Sequence, residues 1–143
     1  MYTKIQVVFD AAEPAKLAEF WALALGYVTE PPPPGFASWD EFGRSIGMPE
    51  ERFGDQASLV DPEGAGPRMY FQRVPEGKTA KNRVHLDVRV AGPDVQGEER
   101  TRLIEEQVAR LIEAGASVAW REKDVRGRSV VMRDPEGNEF CVA

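Results

Sequence analysis

Asp61-Pro62-Glu63-Gly64 recurs as Asp134-Pro135-Glu136-Gly137, and each copy follows one apolar run and precedes another. The chain therefore reads as one fold unit written twice. Four matching residues are weak evidence alone, and the flanks supply the rest. In the first half Ile5-Gln6-Val7-Val8-Phe9 reads as a strand. Leu17, Phe20, Trp21, Ala24 and Leu25 then fall at the spacing of one helix face. Pro14 suits the first turn of that helix and Gly26 its C-terminal stop. In the second half Arg83 to Val90 reads as a strand. Ile104, Val108, Leu111 and Ile112 line one face of a helix that stops at Gly115.

Each half closes with short strands, Ala57 to Val60 and Met69 to Val74 in the first, Ser129 to Met132 and Glu139 to Val142 in the second. The Pro and Gly of each tetrapeptide make the turn between them. Further short strands near Tyr27-Val28 and over Ser117 to Trp120 complete a βαβββ unit per half, and Gly127 marks a hairpin turn. The expected organisation is one α+β domain over residues 1–143: a first unit 1–76, a linker 74–82 carrying Pro75 and Gly77, and a second unit 83–143.

The chain has 143 residues, 42% of them hydrophobic, which is enough for one shared core and too little for two independent domains. No apolar run reaches the ~20 residues of a membrane-spanning helix. The amino terminus shows no basic segment followed by an apolar stretch, and one cysteine permits no internal disulfide, so the expected location is cytoplasmic. A net charge of −6 argues against binding to nucleic acid or an anionic membrane, because both need concentrated Lys and Arg. A small molecule or a protein is the expected partner.

The paired units, the run Pro14-Ala15-Lys16-Leu17-Ala18-Glu19-Phe20-Trp21 with Leu25-Gly26-Tyr27, and Asp134-Pro135-Glu136-Gly137-Asn138-Glu139-Phe140 resemble the vicinal oxygen chelate superfamily. Its members include glyoxalase I, bleomycin-resistance proteins and extradiol dioxygenases. Its glyoxalase-like members are also similar to this chain from Val74 to Asp87. The resemblance implies a curved sheet around a central cavity, helices outside, and pairing into homodimers.

Strand alternation then selects the cavity-facing residues. Val84, Leu86, Val88 and Val90 would face the helices, leaving His85, Asp87 and Arg89 inward. By the repeat, Gln6 matches His85 and also points inward, as do Gln72 and Cys141, with Phe71 and Phe140 on the helix side. The resemblance places metal ligands at the four positions Gln6, Gln72, His85 and Cys141. Neutral amides are poor donors for a divalent cation, and His plus Cys suits zinc or copper better than magnesium. Two expectations follow: no cofactor, or a divalent metal such as Zn, Ni, Mn or Fe at a degenerate site.

His85 is the only histidine. It reads either as a neutral, hydrogen-bonded histidine or as a general acid or base oriented by Asp87 or Glu139. Cys141 reads as a buried apolar filler, or less simply as a nucleophile activated by His85. Residues 31–54 form an insertion that opens with Pro31 to Pro34, and Ser38 can cap a short helix carrying Trp39 and Phe42 on neighbouring faces. That insertion is either a lid that lays Trp39 over a ligand or a packing and dimer element. Tyr70 joins Gln6, Trp39, Gln72, Asp87, Arg89 and Cys141 as a candidate ligand-binding residue. Arg68 and Arg89 are candidates for a carboxylate, and the linker lysines read as solvated, paired with Glu76. The functions these residues allow are metal-dependent lyase, isomerase or oxygenase chemistry, His85-dependent proton transfer, or non-catalytic binding of a small polar metabolite of the bleomycin-resistance type.

Overall fold

A computed structural model describes residues 1–125 and 127–143, and within them the chain is α+β, with two four-stranded sheets and helices. It groups into two compact units, residues 1–22 with 26–76 and residues 23–25 with 77–143.

The first unit runs β1 (Gln6–Ala11), α1 (Pro14–Leu25), β2 (Val28–Thr29), α2 (Trp39–Ser45), a 3₁₀ turn (Glu50–Asp55), β3 (Gln56–Val60) and β4 (Arg68–Arg73). Its sheet order is β1-β4-β3-β2, with β1 parallel to β4 and the other pairs antiparallel. The second runs β5 (Asp87–Val88), α3 (Gly97–Glu113), β6 (Ser117–Asp124), β7 (Gly127–Arg133) and β8 (Glu139–Val142), in the order β5-β8-β7-β6 with β5 parallel to β8. Substituting each strand by its counterpart turns one order into the other, which establishes the repeat read from the tetrapeptide.

Each tetrapeptide builds the same turn. Asp61 Oδ1 accepts the Glu63 N–H at 2.9 Å, and its Oδ2 accepts from Ala65 and Gly66 at 3.0 and 2.7 Å. Asp134 Oδ1 accepts from the Glu136 and Asn138 N–H groups at 2.9 and 3.0 Å, and Asn138 Nδ2 donates to its Oδ2 at 2.9 Å. Gly64 and Gly137 take φ of 72° and 88°, which a side chain resists. The three backbone donors, the Glu63 N–H foremost, hold the Asp61 carboxyl below its usual range.

Helix α1 carries Pro in its first turn and ends at Gly26 in the left-handed conformation, and it buries Leu17, Phe20 and Trp21. Phe9 of β1 stacks on Phe71 at 5.2 Å and meets Trp21 at 5.1 Å, so β1, β4 and α1 share one aromatic core. In the second unit Ile104, Val108 and Leu111 of α3 are buried, as are Val130, Met132, Phe140 and Val142 of the sheet. Among the described residues no helix is long and apolar enough to cross a membrane.

Several expectations are corrected. The strand expected over Arg83 to Val90 is only Asp87–Val88. Asp87 pairs with Cys141, so continuing the register would set Val84 against Asn138, which the Asp134 turn already holds. Val84 is accordingly 81% exposed and does not face a helix. Ile112 lies outside the buried stripe of α3 and Gln107 lies inside it, hydrogen-bonded by Arg110. Leu25, expected on the buried face of α1, is only half-buried at the last turn of the helix.

Candidate functional site

Parallel pairing of β5 with β8 sets Asp87 beside Cys141, and His85 precedes Asp87 by two residues. His85, Asp87 and Cys141 thereby present three donor atoms that all lie within 4.8 Å of one another. His85 Nε2 stands 3.3 Å from Asp87 Oδ1, and both side chains reach solvent. Burial pushes the Cys141 thiol up to about 11, and the neighbouring Asp87 carboxylate adds to the rise. The free thiol is therefore neutral at pH 7, which disfavours an intrinsically activated nucleophile.

Glu139 does not orient His85. Its carboxylate accepts the Asn82 N–H at 2.9 Å and pairs with Lys78 at 3.1 Å. Burial alone would raise its pKa. The Asn82 and Glu139 N–H groups and Lys78 outweigh that and bring it down to about 2. Lys78 is thus not paired with Glu76: its ammonium pairs with Glu139 and also donates to the Ala80 carbonyl.

The first unit holds the other candidates. Gln6 Oε1 accepts from Arg68 Nη1 at 2.8 Å, and Gln72 Nε2 donates to Asp10 at 2.8 Å. Arg68 is not free for a ligand carboxylate. Its guanidinium pairs with Glu30 at 2.6 Å and lies over the Tyr70 ring at 5.4 Å. Arg89 is exposed beside Val88.

The insertion is built as its capping pattern indicated. Ser38 Oγ accepts the Glu41 N–H at 3.1 Å, and Trp39 meets Phe42 edge-on at 5.9 Å. Ser38→Ala is expected to lower the opening free energy of the α2 amides by about 1 kcal/mol, read by hydrogen exchange. Unchanged protection would show that Trp39 and Phe42 packing alone sets the helix. Trp39 and Tyr70 both line a cavity of about 570 Å³ within this unit, bounded by α1, α2, the 3₁₀ turn, β3 and β4.

One participant escaped the sequence reading. Glu30 is 38 positions from Arg68, and no local pattern signals that pair. Asp87, read from the sequence as a ligand-binding residue that orients His85, stands with His85 and Cys141 as a third donor.

These features define a protein of two βαβββ units in which a histidine just before β5, a carboxylate on β5 and a thiol on β8 come together. The chain belongs to the glyoxalase-like domain family, whose sequence pattern it matches over residues 6–143. No curated protein matches it in sequence. Solved structures share the fold at low identity. One is the fosfomycin resistance protein FosX of Listeria monocytogenes, a mutant complexed with Mn(II) and 1S,2S-dihydroxypropylphosphonic acid. It has 12% identity and a TM-score of 0.62, over 99% of this chain and 90% of that one. Another is the bleomycin-binding protein of Streptomyces verticillus complexed with copper(II)-bleomycin, at 19% identity and TM-score 0.54 over 100% and 96%. A glyoxalase/bleomycin resistance protein/dioxygenase family enzyme of Burkholderia phytofirmans PsJN matches at 15% and 0.58 over 97% and 94%.

Proposed function

We propose that this chain binds a small polar metabolite at His85, Asp87 and Cys141 and acts on it by lyase, isomerase or oxygenase-type chemistry. The observation that carries the reading is the convergence of three chemically different donors within 4.8 Å. Asp87 Oδ1, 3.3 Å from His85 Nε2, fixes the ring, and His85 takes a proton from a bound substrate and returns it. The neutral Cys141 thiol donates a weak hydrogen bond to the same ligand or to Asp87.

The donor set also fits a metal ion. Tetrahedral zinc at ~2.0–2.3 Å from N, O and S ligands needs donors roughly 3.5 Å apart, close to the spacing His85 and Asp87 already have. His85, Asp87 and Cys141 would hold it and leave a position for substrate, and the ion would supply Lewis-acid polarisation of a substrate oxygen. The mixed N, O, S set favours zinc over manganese.

Zinc titration of metal-free protein is the test. One equivalent is expected to bind, more tightly as pH rises, because the Cys141 thiol must lose its proton on ligation. His85→Ala, Asp87→Asn and Cys141→Ser are each expected to weaken binding about tenfold or more. Absence of saturable zinc binding, or indifference to all three variants, would remove the metal and leave His85 proton transfer to be judged by turnover in His85→Ala. A second reading, sequestration without chemistry, is favoured by the neutral thiol and predicts ligand binding that survives His85→Gln. A homodimeric, cytoplasmic protein belongs to the same proposal, and analytical ultracentrifugation tests the dimer.

A further inference from the structure

We infer that the 570 Å³ cavity of the first unit is a binding site for a ring-bearing small molecule that carries no acidic group. Its volume lies within the ~300–1,000 Å³ of pockets that bury drug-sized ligands. Four rings line it: Trp39, Phe42 and Phe53 from the insertion and Tyr70 from β4. Trp39 donates its Nε1–H to the Glu30 carbonyl at 2.8 Å, which fixes the indole while leaving 39% of the residue exposed. A ring held by its polar edge offers its apolar area to a ligand with little rotamer entropy left to lose.

The charges of the lining select against anions. Of its two arginines, Arg68 is paired with Glu30 at 2.6 Å and Arg52 with Asp55 at 3.3 Å. Glu19 and Asp40 add two carboxylates. A ligand carboxylate or phosphate would have to displace an existing partner to reach a guanidinium, and it would face those two acids. An uncharged or amine-bearing aromatic compound meets neither obstacle. It can stack on the rings and hydrogen-bond to Ser58 and Gln56 at the cavity wall.

The cavity lining and the donor cluster share no residue, so each is tested by its own variants. Calorimetric titration of the full chain with 2-naphthylmethanol, 2-naphthylmethylammonium and 2-naphthoate tests it, with quenching of tryptophan fluorescence as a second signal. The alcohol and the ammonium are expected to bind saturably, with naphthoate weaker by about tenfold or more. Trp39→Ala and Ala15→Trp are each expected to lower affinity for the alcohol about tenfold, the second by filling the cavity from an exposed position on α1. Trp39→Phe is expected to stay within about threefold of the native chain. Circular dichroism of each variant separates loss of binding from loss of fold. The proposal is overturned by no saturable binding of alcohol or ammonium, by naphthoate binding as tightly as either, or by undiminished binding in folded Trp39→Ala.

Discussion

Asp134→Ala is expected to lower the free energy of unfolding by about 3 kcal/mol, measured by urea denaturation. Asp134 is only 4% exposed, and its carboxylate accepts from the Glu136 and Asn138 N–H groups and from the Asn138 side chain. Truncation removes the acceptor of three donors on the half-buried Glu136 and Asn138, where each group left unpaired costs about 1–3 kcal/mol at full burial and less where water reaches it. Asp134→Asn keeps one acceptor oxygen and should cost roughly half as much. Asp61→Ala should cost less than Asp134→Ala, because the equivalent turn in the first unit opens to solvent at Pro62, Glu63 and Gly64. Equal stability of Asp134→Ala and the native chain would mean that Pro135 and Gly137 set the turn unaided. The turn also feeds directly into β8, so its geometry fixes where Cys141 stands against Asp87.

The duplicated units were legible in the sequence because they rest on short-range signals. Pro14 and Gly26 bracket α1, Ser38 opens α2, and each Asp-Pro-Glu-Gly segment carries its own acceptor, its own rigid residue and its own positive-φ glycine. The period-two rule correctly placed Phe71 and Phe140 in the cores. The same rule failed at Val84, since alternation predicts a facing only where a ladder exists, and β5 pairs with β8 only at Asp87 and Val88. Long-range charge pairing was invisible. Lys78 chose Glu139 over the nearby Glu76, and Arg68 chose Glu30, because burial of one partner decides an ion pair and burial depends on the fold. The cavity beneath the insertion was legible only as a list of aromatic residues, since volume belongs to packing.

Glu139→Gln is expected to remove about 2 kcal/mol of stability at pH 7 and to flatten the acid limb of the stability profile. The folded carboxyl sits at about 2 against a reference of 4.5, so the unfolded chain binds its proton first as pH falls. The stabilisation is therefore complete above pH 4.5 and is lost between pH 4.5 and about 2. The full shift corresponds to about 3 kcal/mol, reduced here because the Lys78 side of the pair retains contact with water at 21% exposure. Urea unfolding of native and Glu139→Gln chains from pH 2 to 7 reads this directly, and parallel profiles for the two would show that Glu139 is not the titrating group. The effect should extend to function. Asn82 lies three residues before His85, and Glu139 lies two before Cys141, so the Asn82–Glu139–Lys78 clamp ties together the two segments that bring the donor atoms into range. Glu139 is thus a positioning residue, and Glu139→Gln should weaken zinc binding with every donor intact. Glu139→Asp, with the charge kept and the reach shortened, separates the two contributions: charge alone would preserve the acid limb, whereas only the full-length carboxylate would preserve the zinc affinity.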